Sequence, residues 1–297
     1  YILYFADTTT TISLDNGVES SNISSILYDN PDYDENDENS NQYELYYALK
    51  NPNKKVAWVD IENIPQHVCD AYMYTEDERF KDHDGVDFKR TFGSIVYTLL
   101  GNTQGGSTIT QQTIKNITGD AARDSAAGVE RKIREIFRAI NVEKTYTKEE
   151  ILQCYLNIIP LGDGQQDIIG VQAAANYYFG KDVSELSLAE AASLAGMTTA
   201  PTTYNPNTNL EKNRKRQIYC LDKMLENGAI SDEEYNEAIN EKLKVTADPD
   251  YSSDTQYASE LEDQGPTSYF VDAAINQAVS ILTENYGISA EEASSRL

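Results

Sequence analysis

The feature that most narrows the fold is the recurrence of apolar residues at helical spacing behind side chains that cap helix starts. Val129 to Lys144 shows it best: Ile133, Ile136, Phe137 and Ile140 follow the i, i+3, i+4, i+7 spacing of one helix face. At about 100° per residue, Glu135 falls off that stripe, on the face it shares with Arg131 and Arg138. Capping-box signatures open further helices at Thr108-x-x-Gln111, Thr147-x-x-Glu150, Ser187-x-x-Glu190 and Ser231-x-x-Glu234. The Ser187 helix is Ala-rich and is expected to end at Gly196; the one led by Lys212, Arg214, Lys215 and Arg216 closes at Gly228. Ile64, Val68, Ala71 and Tyr72 predict a helix carrying Glu76 near its C-terminal end, stopped by Gly85. Strand signals are few, Lys55 to Asp60 being one. The body is therefore mainly α, with no internal repeat.

Other stretches are less regular. Ala6 to Leu49 is polar, and Asp29 to Gln42 is so acidic that a solvated loop is expected there. Asp32, Asp34 and Asn36 begin a calcium-loop rhythm, but Asp37 stands where the turn glycine belongs and Tyr43 where the closing Glu belongs, which rejects the motif. Phe88 to Leu100 is amphipathic, with Gly93, Gly101 and Gly105-Gly106 as hinges. Core packing and a mobile flap that touches lipid both suit it. Asp248 to Gly265 reads as a linker and Tyr269 to Tyr286 as a last amphipathic helix. No 18-residue apolar run occurs.

Charge and chemistry-bearing residues narrow the function. A net charge of -25 argues against nucleic acid as a partner, while leaving room for one local basic patch. Cys69, Cys154 and Cys220 are too scattered for a disulfide framework or a metal site and are expected to be buried free thiols. His67 and His83 are the only histidines, and neither has a serine elbow or a cysteine partner. There is no Walker lysine and no dinucleotide fingerprint. What remains is Glu76, Asp77, His83, the hinge Gly105-Gly106-Ser107-Thr108, Lys115, Arg131, Lys132 and Glu135. Two glutamates facing each other across a cleft suit glycosyl chemistry, one moving a proton while the other orients. Basic residues beside them suit a leaving group such as pyrophosphate. The helix start at Thr108 offers free N–H groups to an anion, and His83 by itself reads as a hydrogen-bonded structural histidine. These residues allow a glycosyl-active enzyme without compelling one.

A family resemblance goes further. Glu76-Asp77-x-x-Phe80-x-x-His83-x-Gly85-Val86-Asp87 resembles the first motif of the peptidoglycan glycosyltransferases, the glycan-polymerising domains of class A penicillin-binding proteins and their monofunctional relatives (glycosyltransferase family 51). Gly105-Gly106-Ser107-Thr108-Ile109-Thr110-Gln111-Gln112-x-x-Lys115-Asn116 resembles the second, Arg131-Lys132-x-x-Glu135 the third, and Lys148-x-x-Ile151-Leu152-x-x-Tyr155-Leu156-Asn157 the fourth. Tyr178-Phe179-Gly180-Lys181, Leu188-Ala189-Glu190-Ala191 and Ala200-Pro201-x-x-Tyr204-Asn205-Pro206 are similar to later family blocks. Two departures stand out. Gln217 follows Arg216 where the family often has a second arginine, so that the second cation is absent or is supplied by Arg214 or Lys215, and Gln165 to Ile169 form an unusual loop.

The resemblance implies a lysozyme-like lobe with a smaller membrane-facing lobe. It implies that Glu76 is the general base and that Glu135 orients the reacting groups or holds a divalent cation, magnesium or manganese. Asp77, Phe80, His83, Ser107, Thr108, Gln111, Gln112, Lys115, Asn116, Arg123, Arg131 and Lys132 are implied to bind or frame the substrate, lipid II and the growing glycan chain, with Asp77 and His83 mainly fixing the site. The expected organisation is a juxtamembrane segment over residues 1–55, a glycosyltransferase domain over 56–245 and a linker over 246–297, leading toward a transpeptidase domain of a bifunctional parent. The expected location is the outer face of the bacterial membrane, with an N-terminal transmembrane anchor. A lysozyme-like lytic enzyme and a non-catalytic wall-building scaffold are the alternatives; intact Glu76 and Glu135 count against the scaffold.

Overall fold

One Ala-rich helix, Leu188–Met197, is buried from Ala189 to Met197 on every side. A helix that is mostly apolar on every face belongs in a core, and its small side chains let two neighbours approach closely. The structure, a computed structural model, describes residues 25–29, 43–48, 54–90, 106–118, 125–251 and 283. The side chains of the two strands among 25–48, of Lys54 and of residues 125–131 lie outside that description. The described helices are α1 (Gln66–Glu76), α2 (Ile109–Thr118), α3 (Ser125–Thr145), α4 (Lys148–Ile158), α5 (Val171–Phe179), α6 (Leu188–Met197), α7 (Leu210–Glu226) and α8 (Asp232–Asn240). The strands are β1 (Ser25–Asp29), β2 (Tyr43–Ala48), β3 (Lys54–Val56) and β4 (Asp167–Ile169).

The chain divides into two compact units, one taking in Val56–Thr255 and the other Asn22–Lys55. In the smaller unit β1 and β2 pair antiparallel, Leu27 opposite Leu45 and Asp29 opposite Tyr43, with a register shift between Ile26 and Leu27. These strands went unread because the polar composition around them outweighed the apolar alternation of Tyr43, Leu45 and Tyr47. The rest of the expected acidic loop lies outside the described residues.

In the larger unit α6 packs against both α1 and α7, and α2 packs against α3 and α4. Tyr72, Phe80, Ile109, Tyr155, Tyr178 and Phe179 are among its largest fully buried side chains. The capping boxes of α4, α6 and α8 form as expected, with Thr147, Ser187 and Ser231 each accepting from the N3 amide. Lys181 places its Nζ 2.8 Å from each carboxylate oxygen of buried Glu190, joining two of the sequence blocks.

Four expectations change. The apolar run at Lys55 to Asp60 is a strand only as far as Val56. Further on, the Asn157 side chain takes both the N–H and the C=O of Val59 at 2.8 Å, in place of a neighbouring strand. Gly196 does not end α6; a Cβ there would meet the Arg216 carbonyl carbon at 2.9 Å, so glycine permits the α6–α7 crossing. The unusual loop is a hairpin, with Leu161 N to Ile168 O at 2.8 Å and Asp163 Oδ1 accepting the Gln165 and Gln166 amides. Finally, α1 ends at Glu76 rather than Gly85, because Asp77 leaves the helix (φ -150°) to make tertiary contacts. Residues 91–100 of the expected flap, and residues 252–297 apart from Thr283, lie outside the described residues.

All three cysteines are free and buried. Burial above all, then the charge of Asp70, pushes the Cys69 thiol up to about 12; burial likewise pushes Cys220 to about 12. Because the thiolate is the reactive form, the native protein at pH 8 is expected not to react with a thiol-exchange reagent. Denaturation should release all three, followed by absorbance of the released chromophore.

Candidate active site

The site begins with the way the first and second sequence blocks are tied together. Asp77 has no solvent exposure. Its Oδ2 accepts from His83 Nε2 at 2.9 Å and from the backbone N–H of Ile109 at 3.0 Å. A carboxylate at a helix N-terminus complements the helix dipole, so Asp77 anchors the start of α2. Two neighbouring amides are engaged as well. Thr108 N donates to Gln111 Oε1 at 2.9 Å, and Gln111 N donates to Thr108 Oγ1 at 3.2 Å. The Thr108 hydroxyl in turn donates to Gly85 O at 2.7 Å. At the helix start expected to hold a phosphate, the Ile109 amide is thus taken from within by Asp77.

With α2 anchored, its exposed face turns toward Glu76. Gln112 Nε2 donates to Glu76 Oε2 at 2.8 Å. The Thr198 hydroxyl, from the turn that ends α6, is hydrogen-bonded to Glu76 Oε1. Arg90 donates to the Glu76 carbonyl. Lys115 and Asn116 follow Gln112 at i+3 and i+4 and share its face; Lys115 is exposed and Asn116 half-buried. Beneath the site, burial first and then the Glu76 charge hold the Tyr155 phenol far above its ordinary value.

The second carboxylate sits on α3. Glu135 is 6% exposed. Lys132 pairs with Glu135 Oε1 and donates to Ser107 Oγ at 2.9 Å. The short segment from Ser107 to Gln112 therefore reaches one glutamate at each end. Gly85 sits with φ +85° against α3, where a Cβ would lie 2.5 Å from the Ala139 carbonyl oxygen, which is why the first block has glycine there.

Several expected substrate-binding residues are placed underneath the site. Phe80 is 1% exposed, edge-on to the His83 ring, with Lys148 Nζ 4.4 Å from its ring centre. Thr108 and Gln111 are fully buried in their own cap. His83 is placed by Asp77, as its structural reading anticipated. Ser107, Lys132 and Glu135 are brought together, and Gln112 is joined to Glu76. Arg123 and the side chain of Arg131 lie outside the described residues. Neither substitute for the missing second arginine stands with Arg216: Arg214 bonds the Ile239 carbonyl and Gln217, and exposed Lys215 pairs with Glu211 at 3.3 Å.

A divalent cation was expected at Glu135. No group of three His, Cys, Asp or Glu gathers among the described residues. One carboxylate suits magnesium of the kind that is completed by substrate phosphates and water, and Glu135, shared with Lys132, would be the residue to hold it.

A transglycosylase family model matches residues 42–225. The chain belongs to the transglycosylase family. This transglycosylase is 44% identical over 200 residues to penicillin-binding protein 1A of Aquifex aeolicus, covering 67% of this chain and 27% of that protein. It is 42% identical over 237 residues to penicillin-binding protein 1A of Clostridium perfringens (strain 13 / Type A), covering 75% and 32%. The chain thus spans about a third or less of the curated relatives it matches. A crystal structure of penicillin-binding protein 1A from Haemophilus influenzae aligns with 68% of this chain and 20% of its own, at 26% identity and a TM-score of 0.40. The helical body expected from the residue pattern is present, and family membership carries the lysozyme-like lobe with it.

Sequence reasoning missed Arg79, Arg90 and Thr198. Arg79 donates twice to Asp87 Oδ2, at 2.9 and 2.6 Å, and Asp87 Oδ1 accepts the Arg90 amide at 3.0 Å. Burial works to raise the Asp87 carboxyl, but the Arg90 amide and the Arg79 guanidinium outweigh it and hold it below its ordinary 3.8. A depressed carboxylate stabilises the fold above its unfolded value, and that stability is lost as pH falls through the folded one. Asp87→Asn is therefore expected to lower unfolding free energy by about 1–3 kcal/mol at pH 7. In denaturant titrations the gap to wild type should narrow below pH 3.8.

Proposed function

We propose that this transglycosylase polymerises lipid II into peptidoglycan strands. The observation that carries the reading is the held carboxylate of Glu76, gripped by Gln112 and Thr198, together with the Glu135–Lys132–Ser107 cluster reached from the same helix start. Glu76 takes the proton from the 4-hydroxyl of the acceptor sugar. That oxygen attacks the anomeric carbon of the donor, the bond to the lipid-linked diphosphate breaks, and the configuration inverts. Lys132 and Lys115 supply positive charge where the leaving group becomes more negative. A divalent ion held at Glu135 would, when bound, neutralise further charge on the diphosphate. Phe88, 66% exposed at the foot of the expected flap, supports contact with the membrane surface on which such a lipid substrate resides. The full-length protein would act at the outer face of the membrane, beside a transpeptidase domain.

The deciding experiment is lipid II polymerisation in detergent with magnesium or manganese. Wild type is expected to give glycan ladders, and Glu76→Gln a rate lower by about 10²–10⁴-fold, the usual contribution of a positioned base. Undiminished ladders from Glu76→Gln would overturn the assignment. Lipid II binding without turnover by wild type would favour the scaffold reading. Cleavage of finished glycan in place of polymerisation would favour the lytic one. Lys132→Ala is expected to lower kcat by about 10²–10³-fold, as losing one transition-state donor does, measured as the initial rate at saturating lipid II.

A further inference from the structure

Two side chains touch the Glu76 carboxylate among the described contacts, and they differ in kind. Gln112 Nε2 can only donate. The Thr198 hydroxyl carries one proton and can donate or accept. It lies within hydrogen-bond reach of two acceptors, Glu76 Oε1 and Ala195 O, the latter at 3.0 Å. One hydroxyl proton cannot serve both fully at once.

We infer that Thr198 is a positioning residue for Glu76, whose hydroxyl reverses its hydrogen bond as the base takes up and releases the acceptor's proton. This inference rests on the reading of Glu76 as the base. While Glu76 is a carboxylate, the hydroxyl donates to Oε1. In the transfer step the acceptor O–H bond breaks, its proton passes to Glu76, and its electron pair forms the new glycosidic bond as the diphosphate leaves. The Thr198 hydroxyl then turns to donate to Ala195 O, and its oxygen accepts from the carboxylic acid. The carboxyl group stays in one orientation through both states, which a donor-only partner does not allow. Release of the proton to solvent resets the pair.

The surroundings of Thr198 suit this role. It is half-buried and lies directly after α6, in the αR region (φ -49°, ψ -39°). Arg216 holds the turn from both sides, Nε to Gly196 O at 3.0 Å and Nη2 to Thr199 Oγ1 at 3.2 Å. The backbone that presents the hydroxyl is thereby fixed, while the hydroxyl itself remains a free rotor.

The test compares wild type, Thr198→Val, Thr198→Ser and Glu76→Gln in steady-state lipid II polymerisation, with thermal melts on each. Thr198→Val keeps the shape and removes the hydroxyl. It is expected to lower kcat about 10- to 100-fold, as a misplaced catalytic group does, with KM within about twofold of wild type because Thr198 grips the base and not the substrate. Thr198→Ser is expected to recover most of kcat. Wild-type kcat in Thr198→Val, or a serine variant as slow as the valine one, overturns the inference. A raised KM at unchanged kcat overturns it too and makes Thr198 a substrate contact. If valine lowers the melting temperature, Thr198→Ala against Thr198→Ser carries the same comparison, since neither adds an atom. An active Glu76→Gln sinks the underlying reading; an inactive one beside a fully active Thr198→Val sinks only this inference.

Discussion

Asp77 accepts the Ile109 amide and the His83 ring on one carboxylate oxygen, with no exposure to solvent, and the arrangement around it follows. A buried carboxylate is costly unless hydrogen-bonded, so α1 must stop at Glu76 to let Asp77 turn inward, and α2 must begin where its first amides meet that charge. Both requirements bear on the proposed base. Ending α1 at Glu76 leaves this carboxylate half-buried at the rim, and starting α2 at Ile109 brings Gln112 within reach of it.

A second tier of contacts keeps that junction in place. Lys148 spans His83 O at 2.5 Å and Glu143 at 2.8 Å, and Glu143 also accepts from Thr110 at 2.6 Å. Glu143 is nearly buried, and breaking such a pair by removing one partner leaves an uncompensated charge inside the protein. Asn157, fully buried, does similar work at the far end of α4 by pairing with Val59. The fourth sequence block is thus structural at both of its polar ends, and it holds the first block from behind.

The division of labour within the blocks explains their mixed composition. Phe80, Thr108, Gln111, Lys148 and Asn157 spend their hydrogen bonds and surface on the scaffold. Glu76 with Gln112, and Glu135 with Lys132 and Ser107, are the residues proposed to work on the substrate. Residues of both kinds alternate along the chain because a helix turns about 100° per residue, so a block of ten residues necessarily contributes to the core and to the site together.

Residue pattern alone determined the helices and their starts: apolar residues at 3.6 spacing and Ser or Thr three residues before Glu or Gln are local features with local causes, and they held at α2, α4, α6 and α8. The block order also marked Glu76 and Glu135. What only the tertiary structure decided was which polar side chain faces inward. Nothing local separates Asp77 from Glu76, or Gln111 from Gln112, until α2 docks against α3 and α4. The α1 terminus at Glu76, the strand at Val56 cut short by Asn157, and Gly196 as a helix crossing all turn on partners far away in sequence. Thr198 is the extreme case, meeting Glu76 across 122 residues, because only the packing of α6 against α1 brings the two together.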